Sequence, residues 1–263
     1  MRAHLVQFDI AWEDRATNHA KVSALLSGVE LRPGDLVALP ELFDTGFSFN
    51  IERTCDTDDA TSRYCRTLAL DRGCYVHGSL TAVGPDGRGR NRAIAYSPDG
   101  VLLSTYDKIH PFSLGKEHER FSGGDTVTTW RWDNPGAGSL GVCPAICYDL
   151  RFPELFRAGL GLGAELFVVG ANWPASRSAH WRALLIARAI ENQAFVLGIN
   201  RCGRDPALEY AGGSIAVSPT GDTLAEADAQ EQVLTVEIDP ALMRRWRDKF
   251  PAWRDQRPEI FGR

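Results

Sequence analysis

Long apolar runs are missing from this chain: nowhere in its 263 residues do about 18 apolar residues follow one another, the length a membrane-spanning helix needs. The opening run in MRAHLVQFDIAWEDR is broken at Gln7 and Asp9 and is too short for the apolar centre of a signal peptide. A cytoplasmic protein with no membrane partner is expected. Cysteine is scarce as well, six residues with no CxxC pair, which argues against a disulfide scaffold and a four-thiolate zinc site. No metal or organic cofactor is implied. Basic charge is not in excess, 29 Lys and Arg against 34 Asp and Glu, so no nucleic-acid partner is expected. No repeat, linker or low-complexity tract divides the chain. One domain over residues 1–263 follows, with the arginine- and aromatic-rich stretch 240–263 as a C-terminal arm that packs on the body or on another subunit.

What is present is an alternation of strand-like and helix-like segments. HLVQFDI (4–10), DLVALPE (35–41), CYVHGSL (74–80), SLGVCPAIC (139–147), ELFVVG (165–170) and AFVLGI (194–199) read as strands. TNHAKVSALLSGV (17–29) reads as a helix with a threonine cap, FPELFRAGL as a helix with proline in its first turn, and HWRALLIARAIENQ (180–193) as a helix with Trp181, Leu184, Leu185 and Arg188 on one face. Pro144 inside its strand predicts a bulge or an edge. AIAYSPDGVLL and SIAVSPTGDTL share Ser-Pro-x-Gly and predict two hairpins at corresponding places of an α/β, two-sheet sandwich, the second with QVLTVEI (232–238) as its returning strand.

Three polar residues close strands: Glu41 ends LVALPE, Lys108 ends LLSTYDK and Cys147 ends GVCPAIC. Strand ends of an α/β sheet converge on one crevice, which is a reason to group them. A free thiol is only a few per cent thiolate at neutral pH and needs a base or a cation beside it to attack a carbon. Glu41 would take the thiol proton, hand it to departing ammonia and then activate water. Lys108 and the backbone amide after the cysteine would hold the charge that develops on the attacked group. Cys143, four residues earlier, reads as a core thiol. A Cys-His enzyme using His77, His110, His118 or His180 is the formal alternative.

LPELFDTGF, YDKIHPF and CYDLRFPE resemble the Glu-Lys-Cys motifs of the nitrilase superfamily of carbon-nitrogen hydrolases, in order as well as content. GANWPASRSAHWRALLIARAIENQAFVLGINRCG (170–203) is similar to the corresponding stretch of bacterial omega-amidases. The resemblance implies an α-β-β-α sandwich that pairs with a second subunit as a homodimer or larger homo-oligomer. It implies Glu41 as base, Lys108 as oxyanion stabiliser, Cys147 as nucleophile and the Tyr148 backbone amide as second oxyanion donor. An auxiliary glutamate is implied in SLGKEHERF, where Glu117 is preferred to Glu119. The implied reaction is hydrolysis of the terminal amide of a small dicarboxylic acid monoamide, of the 2-oxoglutaramate or 2-oxosuccinamate kind, through a thioester. A nitrilase, an aliphatic amidase or an N-carbamoyl amine hydrolase stands as the alternative. The partners are then a small amide and water. A far carboxylate needs a cation, and Arg151, Arg177 and Arg201 lie near the motifs. Trp173 resembles a pocket wall of omega-amidases, Phe43 and Phe112 follow catalytic motifs closely enough to line the same pocket, and Tyr210 lies in a loop that departs from the relatives.

Overall fold

The computed structural model describes residues 1–261. Strands β1 (Arg2–Gln7), β2 (Leu36–Ala38), β3 (Tyr75–Val83), β4 (Gly89–Tyr96) and β5 (Leu102–Asp107) form one six-stranded sheet with β14 (Gln232–Glu237), in the order β14-β1-β2-β3-β4-β5. The second six-stranded sheet has β6 (Trp130–Asn134), β7 (Gly138–Ile146), β8 (Leu166–Ala171), β9 (Phe195–Asn200), β12 (Ile215–Val217) and β13 (Thr223–Glu226), in the order β13-β12-β9-β8-β7-β6. Between them in the chain, β10 (Cys202–Arg204) and β11 (Glu209–Ala211) pair as a ribbon.

Each sheet places a parallel trio next to an antiparallel hairpin and caps the trio's other side with one antiparallel strand: β14 on β1 in the first, β6 on β7 in the second. The two Ser-Pro-x-Gly turns fall at matching places. Ser97 N–H donates to Val101 O at 2.9 Å and Ser218 N–H to Asp222 O at 2.8 Å. Gly100 and Gly221 supply the positive φ, 75° and 90°, that closes each turn. One expectation fails here. The returning strand of the second hairpin is Thr223–Glu226, whereas QVLTVE crosses to the first sheet and pairs along β1. Its alternating pattern fits either partner, so periodicity alone could not choose.

Alternation along the strands sorts side chains into three apolar layers. Leu36 and Ala38 of β2 face Val142, Leu166 and Val168 of the other sheet, whereas Val37 faces outward to Val22 and Leu26 of helix α1 (Arg15–Ser27) and to Cys65 and Leu68 of helix α2 (Ala60–Arg72). Phe167 and Val169 of β8 face outward to Leu155 and Phe156 of α3 (Pro153–Gly161) and to Trp181 and Leu185 of α4 (Ser178–Asn192). The layers are therefore α-β-β-α. Burying each such side chain stabilises by roughly 1.5–3 kcal/mol.

Local chemistry shifts some boundaries. Helix α1 starts two residues before the expected threonine because Asp14 is its cap, accepting from Thr17 N–H at 3.1 Å. Strand β7 is interior and keeps register with β8, and Pro144 sits past the last β6 partner, where the strand is paired on one side only. The arm begins as α5 (Pro240–Lys249) and packs on its own chain: Met243 is buried between the sheets, and Arg247 donates to Gln193 O at 2.9 Å. Residues 262–263 of the expected arm lie outside the described residues.

Cys143 is fully buried under α3, where a Cβ on Gly159 would lie 2.7 Å from its Sγ and 2.9 Å from Phe167. Helix propensity alone would favour alanine at Gly159. Contact reverses the sign. Cys143→Ala should lower stability by about 1 kcal/mol and leave turnover unchanged. Gly159→Ala should destabilise by on the order of 1–3 kcal/mol, and the double variant by less than the sum, read from urea denaturation.

Candidate active site

The strand-end residues meet, though not along one sheet edge: Glu41 and Lys108 come from the first sheet, Cys147 from the second, and they converge across the sandwich. Glu41 lies in the turn after β2, and the residue behind it, Leu42, is left-handed at φ 45°. The sheets come close here. A Cβ on Gly170 would sit 3.0 Å from Glu41 N.

Lys108, directly after β5, donates to Glu41 Oε1 at 2.9 Å and to Glu117 Oε2 at 2.9 Å. Glu117 opens a short helical turn and also accepts from Phe112 N–H at 2.6 Å. Asn91 of β4 donates to both carboxylates, at 2.8 Å to Glu41 and 3.1 Å to Glu117. From the other sheet, Asn172 gives Glu41 Oε2 its backbone N–H at 2.8 Å. All five side chains are buried. Glu119 is exposed and faces Lys116, so the structure brings Glu117 to the cluster and not Glu119.

Cys147 follows β7 directly in a left-handed conformation, φ 44°, and begins the tight turn Cys147–Arg151. A cysteine pays strain for that shape, and the neighbourhood over-determines it. Buried Asp149 accepts from Ile146 N–H at 3.0 Å and Tyr106 OH at 2.7 Å with one oxygen, and from His110 N–H at 3.0 Å with the other. Arg188 clamps Leu150 O from α4 at 2.8 Å. The second residue of the turn, Tyr148, carries one of the leading N–H groups that a helical turn leaves without an internal acceptor.

Charge follows from these contacts. Burial works against the Lys108 ammonium, but Glu117 and Glu41 outweigh it and hold the group above its ordinary pKa. Burial likewise works against Glu41, yet Lys108, the Asn172 N–H and the Asn91 amide keep it below its ordinary value. The thiol goes the other way. Burial first, and then the Glu41 carboxylate, push Cys147 well above its ordinary value against the pull of Lys108. The resting site is thus a neutral thiol beside an anionic carboxylate, an arrangement in which the proton moves as the sulfur attacks.

Glu41, Lys108 and Cys147 line a cleft that also has Phe112, Tyr148, Arg151, Trp173 and Arg177 on its walls. Phe43 does not line it. Its ring is fully buried in the outer core with His19 and Tyr64, because the turn at Leu42 sends it away, and Phe47, four residues on, takes the place expected for it. Arg201 is also absent from the walls: it is buried against Asp9 at 2.7 Å and backs the ring of Tyr210, which does face the cleft. None of His77, His110, His118 and His180 is among the described residues that line the cleft with Cys147. Reading by motif passed over Asn91, Phe47, Asp149 and Asn172. Phe47, Asp149 and Asn172 lie inside LPELFDTGF, CYDLRFPE and GANWPASR, where nothing local marked them, and Asn91 lies in no motif at all.

A thiol, a carboxylate and an ammonium around one cleft of an α-β-β-α sandwich make a thiol-dependent hydrolase. Comparison narrows the class: the carbon-nitrogen hydrolase family matches residues 2–248, and the chain belongs to that family, in the nitrilase superfamily. It is 35% identical to omega-amidase YafV of Escherichia coli (strain K12), over 97% of this chain and 96% of that protein. It is 33% identical to 2-oxoglutaramate amidase of Bacillus subtilis (strain 168), over 97% of each. The crystal structure of XC1258 from Xanthomonas campestris, a CN-hydrolase superfamily protein, superposes with a TM-score of 0.90 at 37% identity, covering 98% of this chain and 97% of that one. No helix among the described residues is long and apolar enough to cross a membrane.

The charge balance is directly measurable. Glu41→Gln removes the negative charge that disfavours the thiolate, so the Cys147 titration, read as thiolate absorbance against a Cys147→Ala blank, should move to lower pH. A titration that stays put or moves upward would contradict the arrangement.

Proposed function

We propose that this carbon-nitrogen hydrolase cleaves the terminal amide of small dicarboxylic acid monoamides, of the 2-oxoglutaramate or 2-oxosuccinamate kind. The observation that carries the reading is a pair of guanidinium groups on the cleft wall. Arg151 lies over the Trp173 ring at 4.8 Å and Arg177 over the Phe112 ring at 5.7 Å, and neither pairs with a carboxylate among the described residues. Two cations without counterions, beside a base and a nucleophile, suit a substrate with a carboxylate at one end and an amide at the other. Relatives named omega-amidase and 2-oxoglutaramate amidase support it.

In this reading Cys147 Sγ attacks the amide carbon as its proton passes to Glu41, and the oxygen's new charge is met by the Tyr148 N–H and the Lys108 ammonium. Glu41 returns the proton to nitrogen as the C–N bond breaks, and ammonia leaves a thioester. Water then gives a proton to the same carboxylate while attacking the thioester, and the thiol is restored with the free acid. Glu117 and Asn91 keep Lys108 and Glu41 in place. A second copy of the chain as partner, in a homodimer or larger homo-oligomer, belongs to the same reading. Free thiols throughout the chain suit a reducing, cytoplasmic setting.

Ammonia release from 2-oxoglutaramate and succinamate should be fast and vanish in Cys147→Ala, with a small aliphatic nitrile and an N-carbamoyl amine turned over poorly. Arg151→Met and Arg177→Met should raise KM for succinamate about 10- to 100-fold and leave propionamide nearly unchanged. Preference for the nitrile or the carbamoyl compound would keep the family chemistry and discard this substrate.

A further inference from the structure

The hydrogen bonds of the cluster leave one polar atom unused. Asn172 follows β8 directly and is only 6% exposed. Its Nδ2 donates to the Glu41 backbone oxygen at 2.7 Å and to Glu41 Oε2 at 3.2 Å. Both acceptors belong to one residue, and that sets which way the amide faces. Turned over, its oxygen would meet a carbonyl and a carboxylate, so the observed orientation is the only comfortable one. The consequence is that Asn172 Oδ1 is buried without a hydrogen-bond partner, alone in this among the buried side-chain atoms of the described cleft walls.

A buried acceptor left unpaired is unfavourable and uncommon, and in a cleft wall it is a place where a ligand donor is missing. The neighbouring acceptors are already served. Glu41 Oε1 receives Lys108 and Asn91, and Glu117 receives Lys108, Asn91 and the Phe112 N–H. A carboxamide brings two N–H donors into this cleft, next to the carboxylate that must protonate its nitrogen. We propose that Asn172 Oδ1 accepts an N–H of the substrate's carboxamide, which makes Asn172 the residue that selects an amide over an ester or a nitrile. Its donor half is locked on the base, which leaves its acceptor half for the nitrogen that the base protonates. The same bond persists as that nitrogen becomes ammonia, since N–H donors remain. The inference rests on the amidase reading of the site but not on the charge at the substrate's far end.

The test is the ratio of kcat/KM for an amide to that for the methyl ester of the same acid, which has no N–H on its leaving group. It is measured with succinamate against monomethyl succinate, and in parallel with propionamide against methyl propionate. Asn172→Ala should lower the ratio about tenfold or more in whichever pair the wild type prefers, beyond any common fall caused by loosening Glu41. Asn172→Asp keeps the volume and an acceptor oxygen, so it should slow both substrates by repelling Glu41 yet hold the ratio. Equal losses on amide and ester in Asn172→Ala, or a ratio that collapses equally in both variants, would overturn the proposal and leave Asn172 as a support for Glu41. A wild type that prefers the uncharged pair would sink the dicarboxylate reading without touching this one.

Discussion

One ammonium held between two carboxylates, out of water, is the interaction on which the rest of the site depends. Lys108 reaches Glu41 and Glu117 at 2.9 Å each, and all three are buried. Removing such charges from water is costly, and attraction alone rarely repays it. Here the surplus negative charge is spread by neutral donors, the amides of Asn91 and Asn172 and the backbone N–H groups of Asn172 and Phe112. The cluster is stable because every charged oxygen in it has a donor. Because the donors come from both sheets, it also fixes how one sheet sits on the other.

That fixed cluster sits beside a strained cysteine. Cys147 turns left-handed just after β7, a shape a cysteine does not choose unaided, and the turn is held by Asp149 within it and by Arg188 from α4. Burial first, and then the negative charge of Glu41, favour the protonated thiol at rest. A neutral thiol is a weak nucleophile until a base takes its proton. A permanently ionised thiol would be open to oxidation and alkylation in the meantime.

The repeated architecture has a simple physical origin. Two sheets of the same plan, each with a parallel trio and a Ser-Pro-x-Gly hairpin, bury one face on each other and the other under a pair of helices. Neither sheet could bury both faces alone. The crevice at the strand ends is where the two halves meet, so it receives side chains from both. A site assembled this way can present a base and a nucleophile that lie far apart in sequence.

The sequence by itself determined the layers and the chemistry. Strand and helix periods, the proline-glycine turns and the motifs around Glu41, Lys108 and Cys147 are local, and local chemistry is legible in order. Tertiary structure decided what those residues touch. Phe43 and Phe47 look alike as neighbours of Glu41, and only the left-handed turn at Leu42 tells which ring meets the core and which meets the cleft. QVLTVE could pair in either sheet by its alternation, and only packing chose β1. Asn172 reaches Glu41 across 131 residues of chain, and no window of sequence contains that hydrogen bond. Periodicity reports which face of an element is apolar, whereas partners, register between distant segments and the electric field at a thiol exist only once the chain has closed on itself.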